Sequence, residues 1–447
     1  MLHKQNLITD EKYKRLMSRS PFTEKQLGDF IARQLVETRQ GTKGIAELLG
    51  QLFKDTEIVY AKATNVSDFR RDNGFVKSRL VNDFHHAQDA YLNIVVGNVY
   101  YTKFTKNPWN FIKKDFDKDR NKNGYNLAKM FDRDVVRGDD TAWIASKKDT
   151  QGTIETVRKM MRKNTPLMTR MSFEQHGGIA NATLYSAKKA KVENYIPLKS
   201  SDIRLSDVKK YGGFTSATVA YYFIVHHKEG KKENTTIEAL PLYCKRKVEN
   251  EENGLLKYCE EVLGYGDVKI LFNKLKIQSL LDINGYQAHL SGKTGNQLTL
   301  RNAMNLCVPE KWTAYIKKLE KLVVGHVKEQ EISSEANIEL YDLLTDKHLN
   351  SVYAKRPNAY GQKLIDNRSR FVNLKPESQC EAILQILKLT KIGNNETNLK
   401  LIGESEHSGK MLISKNLKDT DKPAIICQSV TGLYERKIYI FDEQLDK

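Results

Sequence analysis

Apolar residues fall at helical spacing in several separate runs of this chain. Leu27, Phe30, Ile31, Leu35 and Val36 recur three and four apart. Thr23 with Gln26 three residues on supplies a capping box, so a helix is predicted from Pro21. Ile45, Leu48, Leu49, Leu52 and Phe53 predict a second helix after Gly41, and Glu57–Ala61 reads as a strand. The run His85-His86-Ala87-Gln88-Asp89-Ala90-Tyr91-Leu92 opens a third helix. Its expected apolar stripe is Ala87, Ala90, Ile94 and Val95, widened by Leu92 and Val96. Leu2 to Ser18 hold too few apolar residues for a core of their own and read as the tail of something larger.

From Thr102 to Lys163 the chain turns polar, and Asp115 to Asn123 reads as a loop or insert. A different organisation starts near Gly177-Gly178. Lys209–Phe214 predicts a glycine turn into the strand Val219–Val225. His226-His227 should end that strand, Gly230 should turn the chain, and Thr235–Tyr243 should return as its partner. Ile270–Leu281 alternates unevenly, and Tyr286–Leu300 is strand-like. Helices are expected from Pro309 to Lys328 and around Ile338–Leu344 and Ile383–Leu389. Ala424–Cys427 and Lys437–Phe441 close the chain as strands. The fold class this predicts is α/β in the first half and α+β in the second.

Composition narrows the choice of partner. The 447 residues suffice for about three domains of ~150 residues each. Lys and Arg total 73 against 55 Asp and Glu, a formal charge of +18. Such an excess calls for a phosphate-rich partner or an acidic membrane surface. No apolar run approaches the roughly 20 residues of a membrane span, and the first residues lack the order of a signal peptide, so nucleic acid is favoured. The five cysteines, Cys244, Cys259, Cys307, Cys380 and Cys427, have no paired spacing. That excludes a zinc ribbon or a disulfide framework and fits a reducing cytoplasm.

The chemistry centres on the third helix. Residues three and four apart share a helix face, so His86 and His85 both lie beside Asp89. A carboxylate is a hard oxygen ligand for Mg²⁺, and an imidazole can take a proton near neutral pH. Together they make half of a site for metal-assisted hydrolysis, although most such pairs on helices are structural. Basic residues Arg70, Arg71, Lys77 and Arg79 precede them. Gly292-Lys293-Thr294 resembles the end of a phosphate loop, but Gln287 stands where the first glycine must be, and strand-like sequence follows. It reads as a plain turn. Lys311, Lys317, Lys318, Lys321 and Lys328 read as a solvated basic helix face giving salt-sensitive phosphate attraction.

Several blocks together carry a resemblance. Phe30–Gln40, Ser67-Asp68-Phe69-Arg70, His85–Asn93, Lys209–Phe214, Thr218–Tyr221 and Gln428–Glu435 are similar, in this order, to the type II-A CRISPR-associated RNA-guided DNA endonucleases, the effector nucleases with HNH and RuvC cutting domains. The resemblance implies a layout. Residues 1–20 would end the HNH domain, 21–40 would link HNH to RuvC, and 41–178 would be the third RuvC segment, of RNase H-like fold. Residues 179–447 would be the α+β C-terminal domain that interacts with the PAM, the short duplex motif beside the target.

The resemblance also implies roles. His86 matches the RuvC histidine that activates the attacking water, and Asp89 matches a Mg²⁺-ligating aspartate, with Mn²⁺ as the alternative ion. Two further carboxylates would come from earlier segments, and the site would cut the non-target strand by a two-metal mechanism. Guide RNA (crRNA with tracrRNA, or a single guide), PAM-bearing target DNA and the N-terminal portion of the nuclease are the implied partners. The setting is the bacterial cytoplasm and CRISPR adaptive immunity. In this family, the standard case of RNA-guided recognition, base pairing reads the target and the protein reads the PAM. Here Glu404–Lys415 contains no Arg-x-Arg, whose forks would suit a guanine pair. His407, Ser408, Lys410 and Lys415 are therefore the candidates to read another PAM. Asn181, Ala182 and Thr183 fall where the family grips the phosphate next to the PAM. The alternative reading is a catalytically inert guide RNA and PAM-duplex binding module.

Overall fold

The structure is a computed structural model. It describes residues 3–5, 8–18, 40–104, 127–147, 151–162, 166–180, 184–186, 196–197, 207–215, 217–323, 332–346, 360–391 and 396–442. The predicted Thr23 helix and the Asp115–Asn123 loop lie outside these residues. Two units divide the chain, and the boundary passes through the helices α3, α4 and α5 defined below.

The first unit takes in residues 1–69, 90–157 and 209–211. Its elements are helix α1 (Asp10–Met17), helix α2 (residues 40–52), helix α3 (Ala63–Asp72), helix α4 (His85–Phe104), the antiparallel pair β1 (Val135–Arg137) and β2 (Asp140–Trp143), and helix α5 (Thr153–Met161). An aromatic cluster forms its core. The Phe69 and Trp143 rings each lie against Phe131, at 4.5 and 5.0 Å between centroids. The Trp143 indole N–H donates to the Phe131 carbonyl at 2.8 Å, so its one polar atom is satisfied inside an apolar setting.

Two expectations change here. The buried line of α4 is Leu92, Val96 and Val99, at i, i+4 and i+7, while Ala90 and Ile94 face outward. Counting apolar residues located the helix but not its face, because two stripes of similar strength run along it. Residues 57–61, expected as a strand, pair with no strand among the described residues. A single extended segment has no ladder to join without a neighbour. The apolar face of α2 is likewise bare: Ile45, Leu48, Leu52 and Phe53 are each more than half exposed.

The second unit takes in residues 70–89, 158–208 and 212–447. Strands β3 (Leu184–Tyr185) and β4 (Gly213–Phe214) make a short pair. Strand β5 (Val219–Glu229) and strand β6 (Lys232–Pro241) form a long hairpin, followed by helix α6 (Leu242–Asn250). Then come β7 (Gly266–Leu275), β8 (Leu280–Ile283), β9 (Tyr286–Thr294) and β10 (Gln297–Asn302). A helical group follows: α7 (Glu310–Val323), α8 (Ser334–Thr345), α9 (Tyr360–Asp366), α10 (Arg368–Val372) and α11 (Pro376–Lys388). Strands β11 (Leu412–Ser414), β12 (Asn416–Leu417), β13 (Ala424–Gln428) and β14 (Glu435–Tyr439) complete it.

The strands form two larger antiparallel sheets, ordered β11-β10-β9-β8-β13-β14 and β12-β6-β5-β7. The apolar run of β5 follows from its position. Tyr222 and Ile224 point into a core shared with β8, β9 and β10, while Tyr221, Phe223 and Val225 point to the opposite face, against α6 and Tyr258. With both faces covered, the polar half of the usual alternation disappears. The strand also runs further than expected. His226 and His227 lie within it, because the two-residue turn begins only at Gly230, whose φ of +62° suits the first turn position. Gly292-Lys293-Thr294, expected to be a plain turn, lie instead in the last residues of β9, paired with β10. Lys293 pairs with Glu238, which is 1% exposed, and Gly295 (φ +58°) turns β9 into β10.

The helical group has its own core, and α11 supplies its centre. Pro376 at the first turn suits a helix start, and Cys380, Ile383, Ile386 and Leu387 are fully buried. Each such Ile or Leu is worth about 1.5–3 kcal/mol. Ser333 caps α8, its hydroxyl accepting from the Ala336 N–H at 3.0 Å. Val81 joins this core, which fastens the segment leading into α4.

Candidate functional site

The segment 70–89 is held by polar anchors along its length. Asn82 donates its side-chain amide to the Leu306 carbonyl at 2.9 Å, and its Oδ1 accepts from the Phe84 N–H at 3.1 Å. This turn launches α4, as Asx turns commonly do before helices. The Ser78 hydroxyl donates to Glu320 at 2.8 Å, and the Asp83 N–H donates to Asn305 Oδ1 at 3.2 Å. The first turn of α4 is therefore positioned by contacts on both sides of it.

Asp89 lies part-buried, and each carboxylate oxygen has a cation. Arg70 Nη1 donates to Oδ1 at 2.8 Å, and Lys77 Nζ donates to Oδ2 at 2.5 Å. Arg70 is itself buried, and its second nitrogen donates to the Val76 carbonyl at 3.2 Å. Burial lowers the Arg70 pKa and Asp89 opposes that shift. Arg70 is thus a fixed anchor, whereas Lys77 is a flexible, more exposed one.

His86 is exposed, and its neighbour His85 is buried. Their rings sit 4.2 Å apart. The His85 Nδ1 lies 3.2 Å from the Asn82 carbonyl, which fixes its proton on that nitrogen. Burial, with His86 alongside, pushes the His85 pKa below the ordinary imidazole value. His85 is neutral near pH 7, while His86 presents its ring to solvent.

Asp83 was not singled out from sequence, yet its carboxylate lies with the two imidazoles. One ligand atom from each of Asp83, His85 and His86 falls within 4.8 Å of the others. The Asp83 oxygens are engaged by Lys391 at 3.0 Å and Arg170 at 3.2 Å. Burial would raise its pKa, but these two cations outweigh burial and hold it below the usual carboxylate range. Two cations on one carboxylate make this trio a poor cation site. Only the position of Asp83, three residues before His86 at a helix start, pointed to it in the sequence.

Asp89 carries the same kind of pair, one arginine and one lysine, so a divalent ion there would likewise have to displace a cation. Its Oδ1 is oriented by an arginine that cannot leave, and its Oδ2 is capped by a lysine that can. A divalent ion replacing Lys77 would raise the local positive charge without moving the helix. One carboxylate and one imidazole do not complete a Mg²⁺ shell, so further oxygens must come from elsewhere.

The residues expected at the PAM are placed differently from one another. Ser408 is buried, and its hydroxyl donates to the Ser405 carbonyl at 2.7 Å. Lys415 donates to Glu238 at 2.7 Å and to the Tyr265 hydroxyl at 3.1 Å, inside the unit. His407 and Lys410 both pair with Glu396, and the His407 side chain is 74% exposed. Hydrogen bonds from Lys410 and then His407 hold the Glu396 carboxyl below the usual range. Asn181, Ala182 and Thr183 lie outside the described residues.

Comparison with known proteins bears on this arrangement. Residues 39–169 match the family model for the Cas9 RuvC domain, and residues 176–436 match that for the PAM-interacting domain of CRISPR-associated endonuclease Cas9. The chain is 28% identical over 482 residues to the CRISPR-associated endonuclease Cas9 of Streptococcus mutans, covering 97% of this chain and 33% of the relative. It is 27% identical over 481 residues to the protein of the same name from Listeria innocua, covering 98% of this chain and 33% of the relative. The chain spans about a third of the length of these curated relatives. With two domain models matched in sequence order, the second over more than half of its residues, this chain belongs to the Cas9 family.

Proposed function

We propose that this chain works as the C-terminal part of an RNA-guided DNA endonuclease, with His86 and Asp89 as one corner of a RuvC site that cuts the non-target strand. The observation that carries the reading is Asp89 itself, a half-buried carboxylate one helical turn from an exposed imidazole, with one oxygen fixed by Arg70 and the other under Lys77. The exposed apolar face of α2 and the segment 57–61, which pairs with no strand among the described residues, agree with an RNase H-like sheet whose other strands come from an N-terminal portion.

In that assembly Asp89 would hold Mg²⁺, or Mn²⁺, together with carboxylates from the N-terminal portion. The bound ion supplies Lewis-acid stabilisation of the scissile phosphate. His86, with its ring exposed, is placed to accept a proton from the attacking water. His85, neutral and bonded to the Asn82 carbonyl, holds the start of the helix and so aims His86. Guide RNA pairs with the target, and residues 179–447 meet the PAM duplex.

The test mixes this chain with the N-terminal portion, guide RNA, Mg²⁺ and a PAM-bearing duplex labelled on each strand. Both strands should be cut, and Asp89→Asn should abolish the non-target cut alone. Retention of that cut would refute the assignment.

A PAM without the guanine pair follows from the missing Arg-x-Arg, with the exposed His407 and the partly exposed Lys410 as the candidates left facing solvent in that stretch. A depletion assay should return another motif, and His407→Ala should alter it. A guanine pair as the sole preference would exclude this reading.

The second reading, a binding module without chemistry, is favoured for the chain by itself. With Arg70 and Lys77 both on Asp89, its carboxylate is already neutralised. The chain alone should not nick DNA at any Mg²⁺ concentration.

A further inference from the structure

His86 opens onto a cavity of about 430 Å³ that the proposed nuclease chemistry does not explain. Asp83, Arg170, His289, Arg301 and Lys391 line it with His86. Three permanent cations face one carboxylate there. Asp83 does not cancel them; it holds two of them in place, Lys391 at 3.0 Å and Arg170 at 3.2 Å. Arg301 is exposed, and its guanidinium has no carboxylate partner among the described residues. His289 closes the wall. It is 5% exposed, and its Nδ1 lies 2.9 Å from the Gln278 carbonyl.

A concave site with this charge selects an anion over a metal ion. Arginine forks match the oxygens of a phosphate, and a carboxylate that pins neighbouring cations preorganises them. The volume falls within the range of small-ligand sites and exceeds what a lone phosphate needs. We propose that this cavity binds one nucleotide of a DNA strand, its phosphate held by Arg170, Arg301 and Lys391, and so seats the strand beside His86. The inference rests on the nuclease reading for its last clause only. Arg301 is then a positioning residue for the strand.

The probe is the 5′-phosphorylated dinucleotide pdTpdT, titrated into the full chain and followed by the imidazole proton NMR signals of His86 and His289. Both signals should shift together and saturate. Arg301→Gln, at an exposed position with no carboxylate partner to lose among the described residues, should weaken binding at least fivefold, whereas Lys400→Gln, an exposed lysine that does not line the cavity, should leave it unchanged. Loss of one phosphate contact should also lower the salt slope by about 0.7. Absence of the shifts, or equal affinity in Arg301→Gln, would overturn the proposal. Inorganic phosphate binding as tightly as pdTpdT would reduce the site to an unspecific anion hole and overturn it too. Failure of Asp89→Asn to stop the non-target cut, with pdTpdT still bound, would remove the nuclease reading and leave the nucleotide site standing.

Discussion

At the scale of the residue, the arginine matters as much as the aspartate. Asp89 could be picked out from the sequence because it lies three positions after His86 on a helix. Nothing in that spacing said that Arg70 and Lys77 would close on its two oxygens. Arg70 is buried with its charge spent on Asp89 and on the Val76 carbonyl. Removing it strips a charge-assisted hydrogen bond from a half-buried carboxylate. Arg70→Ala should therefore lower stability by roughly 1.5–3 kcal/mol, seen as a reduced urea midpoint. Lys77→Ala, at a more exposed and flexible partner, should cost much less. Equal effects from the two would contradict the division into anchor and exchangeable cap. Asp89→Asn keeps the volume and the ability to accept from Arg70, which makes it a cleaner test of chemistry than Asp89→Ala.

At the scale of the element, the β5–β6 hairpin carries a buried polar group on each strand. On β6, Glu238 is 1% exposed and bonded to Lys293, Lys415 and the Tyr265 hydroxyl. Burial raises its pKa, but the partners outweigh burial and hold it below the carboxylate range. On β5, His227 is fully buried, stacked 3.6 Å from the Tyr265 ring, and its Nδ1 has no hydrogen-bond partner among the described residues. Burial holds its pKa below the ordinary imidazole value. Both depressions act in the same direction. Each group binds fewer protons folded than unfolded, so stability rises with pH across the interval between its two pKa values. His227 begins to cost stability as the pH drops below about 6.5, and Glu238 adds a further loss below about 4.5. Thermal melts should fall in two stages below pH 7. His227→Phe should shrink the first stage, to which His85 and His289 also contribute through their own lowered pKa values, and keep the second. An unchanged first stage in that variant would show that other groups govern it. The motif reading that turned away from a phosphate loop at Lys293 finds its physical reason in this network, where the lysine ammonium is occupied by Glu238.

At the scale of the whole molecule, the two units differ in how far they satisfy themselves. The second has covered sheets and a closed helical core, while the first leaves the apolar face of α2 exposed. Leu48→Lys with Leu52→Lys should therefore leave the thermal stability of this chain within about 0.5 kcal/mol of the parent. The same pair should weaken assembly with the N-terminal portion by tenfold or more in a pull-down titration. A large loss of stability in the chain alone would mean that the face is covered within this chain.

Much of the second unit was legible in the sequence because its elements are set by local signals. The apolar run of β5, the glycine turn at Gly230 and Pro309 before a helix act over a few residues. The family was legible for a related reason: ordered blocks such as His85–Asn93 persist where a site demands particular side chains. The sequence thus determined the helix that bears His86 and Asp89 and the strands of the long hairpin. It did not determine which side of α4 is buried, whether residues 57–61 find a partner, or that Asp83 joins Arg170 and Lys391, some 87 and 308 positions away. Those outcomes depend on what the rest of the chain brings alongside. Burial and charge pairing are properties of neighbours in space, and only the tertiary structure decides who the neighbours are.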